Sequence, residues 1–372
     1  MILVFSFLGL YILLIALIII YSGKKNGVIY HSNEVLTKVS VVVAARNEED
    51  NILTLLGCLL NQKYPKEKYE IIIVNDYSDD NTENLLKGYG QQIKYINVCD
   101  SIEQTGGKKN AIAYGVSQAT GELIITTDAD CILNPTHISV IEKLYRSTDA
   151  KFISAPVILY HIGNPILSRL LHHFQVVEFG SLIVAGNALI NMRKPLLCNG
   201  ANMAYPKKVF EEVNGYAGNE QIPSGDDEFL LKKIAAKYPN DIHFLPDKEA
   251  AVHTPAMATL SELVQQRIRW ASKHKNYNSL NKAILWLIFI ANFMLYATLL
   301  LPENPVYFFT RYLIYKILVD ACLTSLYLRY KISIKTFIYL PLIELLYPIY
   351  LVYIGIAANF LKYEWKGRVQ KA

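Results

Sequence analysis

Long apolar runs occupy both ends of the chain, whereas in the middle short apolar runs are separated by polar turns. The first run, Ile2 to Tyr21, is about as long as a helix that crosses the hydrocarbon core of a membrane. A basic pair, Lys24 and Lys25, follows this run instead of preceding it, which favours an uncleaved anchor over a signal peptide. By the positive-inside rule, the next segment is expected to lie in the cytoplasm.

From about Val39 to His253 the pattern is typical of an α/β domain. Segments with helical periodicity, such as Glu49–Asn61 and Lys109–Thr120, alternate with short runs typical of strands. The predicted strands are Val39–Ala44, Glu70–Asn75, Ile93–Val98 and Leu123–Thr127. This alternation predicts a mostly parallel sheet with crossover helices, in which ligands bind beyond the carboxyl ends of the strands.

The C-terminal part of the chain is apolar again. Ala283–Leu301 and Val306–Leu328 are predicted membrane spans, joined by a tight turn with two prolines. A third region, Ile334–Leu361, also contains two prolines and fits either one span or a hairpin of two short segments. Three full spans would place the C-terminus outside, whereas the basic tail favours the inside, so its side stays open.

Composition narrows the class of protein. The chain has 372 residues, 52% of them hydrophobic, and a net charge of +5 without a basic stripe, so nucleic acid is not an expected partner. Its five cysteines are scattered without a CxxC pair, which argues against a zinc site or a disulfide framework and fits a reducing compartment.

Polar residues follow the first two predicted strands. The segments Ala44–Glu49 and Asn75–Asp80 offer carboxylates that can accept hydrogen bonds from a ribose or a base. The candidate nucleotide-binding residues here are Ala45, Glu48 and Asp76. Because Asn, Asp and Ser are also the usual turn residues, turn chemistry is the stronger explanation of each segment taken alone.

A glycine pair followed by two lysines, Gly106 to Lys109, opens a predicted helix. Backbone N–H groups and an ammonium group at this place suit a diphosphate, although the segment lacks the spacing of a Walker loop. A helix start with solvated lysines explains the same residues.

The fourth predicted strand ends in Asp128-Ala129-Asp130. Two carboxylates two residues apart after an apolar strand can hold Mg²⁺ or Mn²⁺ together with phosphate oxygens. A DxD triplet is common, but its position directly after a buried strand makes it a more specific indication of a metal site.

A second acidic pair, Asp226-Asp227, precedes a predicted helix. One of these acids is a candidate general base for an attacking hydroxyl group, and a helix N-cap is the simpler alternative.

Gln266, Arg269 and Trp270 are spaced to share one face of a helix that starts near Leu260. Arginine can bind a phosphate and tryptophan can stack on a sugar ring. A basic, aromatic helix at the membrane surface has the same composition, and both interpretations can hold together.

Taken in this order, the segments resemble membrane-bound family 2 glycosyltransferases of the GT-A fold, with their D, DxD, (E/D)D and QxxRW motifs. Cellulose, chitin, hyaluronan and poly-N-acetylglucosamine synthases are such enzymes. The resemblance covers about Val39 to Trp270 and implies a Rossmann-like, mostly parallel α/β catalytic domain with transmembrane helices at both ends. The expected domains are an anchor (1–23), a cytoplasmic catalytic domain (24–255), an amphipathic interfacial segment with QxxRW (256–282) and a transmembrane region (283–372).

The resemblance also implies a role for individual residues. Asp76 would contact the base, Lys108 the diphosphate and Asp128 the nucleotide-sugar, with Asp130 nearest the metal and Asp227 as the catalytic base. The acceptor and pyrophosphate end would be shaped by Gln266, Arg269 and Trp270, with Asn199–Asn202 as an acceptor-side loop. Two departures are Asn75-Asp76 in place of Asp-Asp and Asp226-Asp227 in place of Glu-Asp, both of which keep the second acid.

The expected protein is therefore an integral membrane enzyme of a bacterial inner membrane. It would move a hexose or N-acetylhexosamine from a nucleotide-sugar, UDP by resemblance, to a lipid or glycan acceptor by metal-dependent inverting displacement. The alternatives are a processive synthase that extrudes a polymer and, more remotely, a non-catalytic membrane subunit of the same fold. The sugar, the acceptor, partner subunits and the oligomeric state stay open.

Overall fold

A computed structural model describes residues 1–24, 35–98, 107–163, 166–218, 225–272, 279–330, 332–365 and 368–371. The chain forms two compact units, each discontinuous in sequence. The α/β unit comprises residues 24–160 and 189–255, and the helical unit comprises residues 1–23, 161–188 and 256–372.

The strands in chain order are β1 (Val39–Ala45), β2 (Tyr69–Asn75), β3 (Lys94–Asn97), β4 (Leu123–Thr126), β5 (Ile132–Leu133), β6 (Phe152–Ser154), β7 (Val157–Tyr160), β8 (Met203–Pro206), β9 (Ile242–Phe244), β10 (Val252–Pro255), β11 (Lys362–Trp365) and β12 (Arg368–Lys371). The α-helices are α1 (Ile2–Ser22), α2 (Ile52–Leu60), α3 (Thr82–Lys87), α4 (Lys108–Ser117), α5 (His137–Thr148), α6 (Ile166–Asn191), α7 (Lys207–Glu212), α8 (Asp226–Lys237), α9 (Leu260–Ala271), α10 (Ser279–Ala297), α11 (Pro305–Tyr327) and α12 (Thr336–Phe360).

A seven-stranded sheet with the order β3-β2-β1-β4-β8-β6-β9 forms the centre of the α/β unit. The pairs β1–β2, β1–β4, β2–β3 and β6–β9 are parallel, and β8 runs antiparallel to both of its neighbours. The predicted mostly parallel sheet is confirmed. β1 is central because its run of valines is buried on both faces, as expected for a strand covered by crossover helices.

Close packing of α4 on this sheet depends on Gly115. A Cβ atom there would lie 2.5 Å from the side chain of Val42 and 3.0 Å from that of Val74. The glycine therefore lets the helix approach β1 and β2 more closely than a larger residue would allow. This contact fixes the position of the first residue of α4, Lys108, at the carboxyl ends of the strands.

Among the described residues, four helices are long and apolar enough to cross a membrane: Ile2–Ser22, Ile166–Asn191, Ser279–Leu300 and Thr336–Phe360. The first, third and fourth agree with the predicted apolar segments at both ends of the chain. The predicted span Val306–Leu328 is the helix α11, but it is not among the four because it carries Arg311, Lys316 and Asp320.

Two expectations about the helices need correction. The hairpin alternative for Ile334–Leu361 is wrong, because α12 is one helix with Pro341 and Pro348 inside it. Each proline removes one N–H donor, yet the helix continues, as is common where neighbouring helices pack around it. Residues 161–188, assigned from sequence to the catalytic domain, group instead with the helical unit.

The charged side chains inside the helical unit pair with one another. The Lys316 ammonium lies 2.7 Å from a carboxylate oxygen of Asp320 on the same helix and also contacts Glu344 of α12. The hydroxyl of Tyr11 in α1 donates to the other oxygen of Asp320 at 2.6 Å. This network joins α1, α11 and α12.

Candidate active site

Asp76 connects three chain segments at the carboxyl ends of the strands. Its side chain is buried, its backbone N–H donates to the carbonyl of Ala45 at 2.8 Å, and its Oδ1 accepts from the N–H of Gly107 at 2.9 Å. The end of β1, the end of β2 and the start of α4 are therefore held together at the place where the sequence predicts a nucleotide. The contribution of Ala45 here is its carbonyl group.

The loops after β1 and β2 are bonded to each other. Arg46 donates to the carbonyls of Asp76 and Tyr77, and the N–H of the buried Glu48 donates to Thr82 at 2.8 Å. Tyr77 has a φ of 56°, a strained conformation for a residue with a bulky side chain. The polar residues of these loops thus stabilise the turns, as the simpler interpretation of the sequence predicts. The two bonded loops also form a rigid rim beside Asp76.

Asp80 in the second loop illustrates how this rim is charged. Burial raises the pKa of its carboxyl group, but hydrogen bonds from Thr82 and from the N–H of Glu49 outweigh burial, so its pKa lies below the ordinary value. Asp80 therefore keeps its negative charge to a lower pH than an ordinary aspartate does.

Lys108 brings the three predicted motifs together. Its Nζ lies 2.6 Å from Oδ1 of Asp128 in the DxD segment and 3.2 Å from Oδ2 of Asp226 in the second acidic pair. Desolvation opposes the charge of this lysine, but the nearby carboxylates outweigh it and hold its pKa well above the usual value. Lys108 is therefore a fixed cation between the two acidic motifs.

Gly200 of the predicted acceptor-side loop also contacts the acidic pair. Its N–H donates to Asp227 at 3.2 Å, and a Cβ atom at this position would lie 2.9 Å from Asp226 and 3.3 Å from the Lys108 nitrogen. Only glycine fits without moving the cluster. The loop is fixed by the fully buried Asn202, whose amide donates to backbone carbonyls at 2.7 and 2.8 Å.

The acidic pair begins α8. Gly225 before it has a φ of 84°, and the first turn contains Asp226, Asp227 and Glu228. Negative charge at a helix N-terminus is favourable, so two aspartates suit the start of this helix. Asp227 also accepts a hydrogen bond from the N–H of Glu228 at 2.8 Å. The simpler interpretation, an acid that bonds to a free backbone N–H at the helix N-terminus, therefore holds as well.

The DxD segment follows β4 as predicted. Asp128 has 36% of its side chain exposed, and Asp130 accepts a weak hydrogen bond from the thiol of Cys131 at 3.8 Å. Burial raises the pKa of this thiol, as does the charge of Asp130, so it stays protonated.

The side-chain oxygens at this place fit a hard divalent cation that is coordinated partly by the protein and partly by a bound ligand. No group of three or more His, Cys, Asp or Glu side chains within the described ranges could hold a metal by itself. Two carboxylates, Asp128 and Asp130, are what Mg²⁺ commonly takes from a protein when phosphate oxygens complete its coordination.

The QxxRW residues lie in the helical unit, on α9. This helix starts with a capping box in which Thr259 accepts from the N–H of Glu262 and the Glu262 side chain accepts from the N–H of Thr259. Gln266, Arg269 and Trp270 are all half-buried. The other predicted site residues lie in the α/β unit, and Asp76, Lys108, Asp128 and the acidic pair are connected there by the contacts described above.

Sequence reasoning gave no role to Asp226 or Arg267. Asp226 is a partner of Lys108, and the only sequence signal for this was its place beside the predicted base. Arg267 is 4% exposed and forms an ion pair with Glu178 of α6. Its spacing of three residues from Trp270 was a signal for a shared helix face.

Comparison with known proteins agrees with this geometry. Residues 40–213 match the model of the family described as glycosyl transferase family 2. These residues therefore form a glycosyl transferase family 2 domain. The predicted family, the GT-A type of α/β fold and the assignment as a transferase are confirmed.

Relatives of this glycosyltransferase include probable glycosyltransferase YdaM of Bacillus subtilis, 25% identical over 63% of this chain and 55% of the relative. A poly-beta-1,6-N-acetyl-D-glucosamine synthase of Staphylococcus epidermidis is 24% identical over 80% of this chain and 70% of the relative. The matched region therefore spans little more than half of YdaM.

Among solved structures, the fold is similar to that of a mannosyltransferase, PcManGT, from Pyrobaculum calidifontis, determined with GDP-Man and Mn²⁺. The TM-score is 0.56 at 18% identity, covering 93% of this chain and 96% of the other. At this identity the similarity shows the fold and nothing about the ligands of this glycosyltransferase.

Proposed function

We propose that this family 2 glycosyltransferase moves a hexose or N-acetylhexosamine from a nucleotide-sugar, a UDP-sugar, to a lipid or glycan acceptor by inverting displacement. The observation that carries the proposal is the position of Lys108 between Asp128 and Asp226, because it joins the predicted diphosphate, donor and base motifs in one cluster. The unit that holds this cluster would face the cytoplasm of a bacterial cell, with the apolar helices in the inner membrane.

In this proposal the rim residues bind the nucleotide. Asp76 accepts from the base, and Ala45 and Glu48 line the same part of the site. Support comes from the bonds that fix Asp76 and Glu48 before any donor binds, since a rigid site loses little entropy on binding.

Asp130, together with Asp128, would hold Mg²⁺ or Mn²⁺. The metal would supply positive charge to the leaving diphosphate. Lys108 supplies a second positive charge at the same place, and it changes partner from carboxylate to diphosphate when the donor enters.

Asp227 takes the proton of the acceptor hydroxyl group while that oxygen forms a bond to the anomeric carbon. The bond from this carbon to the diphosphate oxygen breaks, and the nucleoside diphosphate leaves with the electron pair. Support for Asp227 is its place in the first turn of α8 and its contact with Gly200 of the acceptor-side loop.

A processive synthase is the second candidate. It is favoured by the QxxRW residues on α9 and by the relative named as a poly-N-acetylglucosamine synthase, which aligns over 80% of this chain. Product length separates the two functions: a ladder of oligomers supports the synthase, and a single added sugar supports the transferase.

The test is release of nucleoside diphosphate by purified protein in detergent. A panel of UDP-sugars is supplied with Mn²⁺ or Mg²⁺, then again after EDTA and with the variant Asp130→Ala. Metal-dependent release of UDP that is lost in the variant supports the proposal and identifies the sugar. Release from a GDP-sugar only, or release that is unaffected by EDTA, contradicts the proposed donor or metal.

A further inference from the structure

A buried ion pair connects α6 to the helix that carries QxxRW. Nε of Arg267 donates to Oε2 of Glu178 at 2.9 Å, and its Nη2 lies 2.8 Å from the same oxygen. The hydroxyl of Tyr350 in α12 donates to the other oxygen of Glu178 at 2.8 Å. The side chains of Arg267 and Glu178 are 5% and 10% exposed, so water does not compete for this contact.

One helical turn earlier on α6, Gln175 holds the segment that leads into α9. Its amide nitrogen donates to the carbonyl of Met257 and its amide oxygen accepts from the N–H of the same residue, both at 2.9 Å. Gln175 and Glu178 are three residues apart and therefore share a face of α6. This face fixes both the entry into α9 and its middle.

The ion pair also determines the surroundings of Trp270. The guanidinium carbon of Arg267 lies 4.2 Å from the centroid of the Trp270 ring, a favourable cation–π contact. Phe179, next to Glu178 on α6, packs against the same ring with a centroid distance of 6.0 Å. Arg267 also donates to the side chain of Gln266. Gln266 and Trp270, two of the three QxxRW residues, thus contact Arg267, which is paired with Glu178.

A buried ion pair is weak evidence for stability, because apolar residues of similar size often replace such a pair without loss. A fixed geometry is what the pair provides here: a carboxylate with both oxygens occupied holds a guanidinium in one orientation. That orientation sets the position of the Trp270 ring.

We propose that Glu178 is a positioning residue, which acts through Arg267 to fix Trp270 and Gln266 for binding of the acceptor. The inference rests on the proposed function for its effect on catalysis. Its structural part, that Glu178 fixes the Trp270 ring, is tested without any turnover.

The structural part is tested by fluorescence. The chain has three tryptophans, so Trp286→Phe with Trp365→Phe leaves Trp270 as the only one. In this background Glu178→Gln is expected to shift the Trp270 emission and to increase its quenching by acrylamide, and Tyr350→Phe to do so less. The matched control is Glu303→Gln, at an exposed residue of the α10–α11 turn. Unchanged quenching in Glu178→Gln overturns the inference whether or not the protein is active.

The kinetic part is measured with the donor that the panel identifies and with an acceptor shown to receive its sugar. Glu178→Gln is expected to raise the acceptor KM and lower kcat by about tenfold, as displaced reacting groups do, with the donor KM unchanged. A double variant, Glu178→Gln with Arg267→Met, removes the buried charge and is expected to recover the melting temperature but not the acceptor KM.

The outcomes are distinguishable from failure of the proposed function. Absence of any transfer or donor hydrolysis by the unaltered protein contradicts the proposed function and leaves the fluorescence result to decide on Glu178. If the unaltered protein is active and Glu178→Gln keeps its acceptor KM and kcat, the positioning role is overturned. Full recovery of both constants in the double variant overturns it too, because the pair would then be structural only.

Discussion

Two clusters in this protein have the same make-up, one lysine between two carboxylates, in opposite surroundings. The clusters are Lys108 with Asp128 and Asp226 in the α/β unit, and Lys316 with Asp320 and Glu344 in the helical unit. The exposed fraction of the lysine side chain is 20% in the first and 2% in the second.

This difference in exposure separates an exchangeable cluster from a permanent one. In the first, water reaches Asp128, whose side chain is 36% exposed, so its contact with Lys108 contributes little to stability and is the one that a metal or a diphosphate would replace in the proposed reaction. In the second, any separation leaves a charge in an apolar surrounding, so the three groups stay together. We therefore propose that the same kind of ion pair forms a ligand site in one unit, whereas it connects helices in the other.

The largest effect is expected next to the exchangeable cluster, from Asp227→Asn. Loss of the base should lower transfer by about 10⁴-fold, the upper range for general base catalysis, because the acceptor proton then has no receiver. Initial rates with a labelled donor measure this. The control is Asp247→Asn, an exposed aspartate. Equal binding of nucleotide by calorimetry shows that the variant is folded, and retained transfer would rule out Asp227 as the base.

Lys316→Met should break the permanent cluster. Two buried carboxylates would lose their cation, which typically costs about 3–5 kcal/mol of stability. Thermal unfolding in detergent measures the loss, with the exposed Lys282→Met as control. A variant that also replaces Asp320 and Glu344 by apolar residues of similar size should regain much of the stability. Little change in Lys316→Met would remove the distinction between the clusters.

Lys108→Met should lower catalytic activity strongly and stability only slightly. Loss of a positive charge at the leaving group is expected to lower kcat by about 10²–10³-fold, as removal of one electrostatic stabiliser does. Its effect on stability should be smaller than that of Lys316→Met, because Lys108 and Asp128 are 20% and 36% exposed. Rates and unfolding measured on one preparation test both statements. A large loss of stability would mean that the Lys108 cluster is permanent, like that of Lys316.

The smallest effect concerns metal binding without a donor. Lys108 competes with a cation for Asp128, so Lys108→Met should raise the affinity for free Mn²⁺ by about tenfold, equal to about 1.4 kcal/mol. Electron paramagnetic resonance of free Mn²⁺ measures the affinity. Asp128→Asn in the same background should cancel the gain. An unchanged affinity would mean that the ammonium and the metal use different oxygens.

The central strands were predictable because their signal is local. The predicted Val39–Ala44 and Leu123–Thr127 differ from β1 and β4 by one residue at one end, since a run of valine and isoleucine followed by acids has few alternatives. The segments that carry Asp76, Lys108, Asp128 and the acidic pair were found for the same reason, because strand ends and helix starts are visible in the sequence. The roles of these residues in catalysis stay predictions.

The contacts of the site were not predictable. Nothing local connects Lys108 to Asp226, because β8 and the loop of Gly200 bring them together through the sheet. The grouping of α6 with the helical unit was missed because His173, Gln175 and Glu178 made the segment look like part of a water-soluble domain. Glu178 is bonded by Arg267 of α9 and Tyr350 of α12, and Gln175 bonds to Met257 before α9. His173 bonds to Thr336.

The place of α6 in the chain limits how often the polypeptide passes through lipid. β7 precedes α6 and β8 follows it, and β8 pairs with β4 and β6 in one sheet. Strands on opposite sides of a bilayer cannot pair, so both ends of α6 lie on the same side. With 26 residues, about 39 Å at 1.5 Å per residue, α6 is long enough to cross, yet the described residues between β7 and β8 contain no second helix that could return. At most three of the four apolar helices can therefore be crossings, and a topology map counted from hydropathy alone would reverse the side of everything after α6.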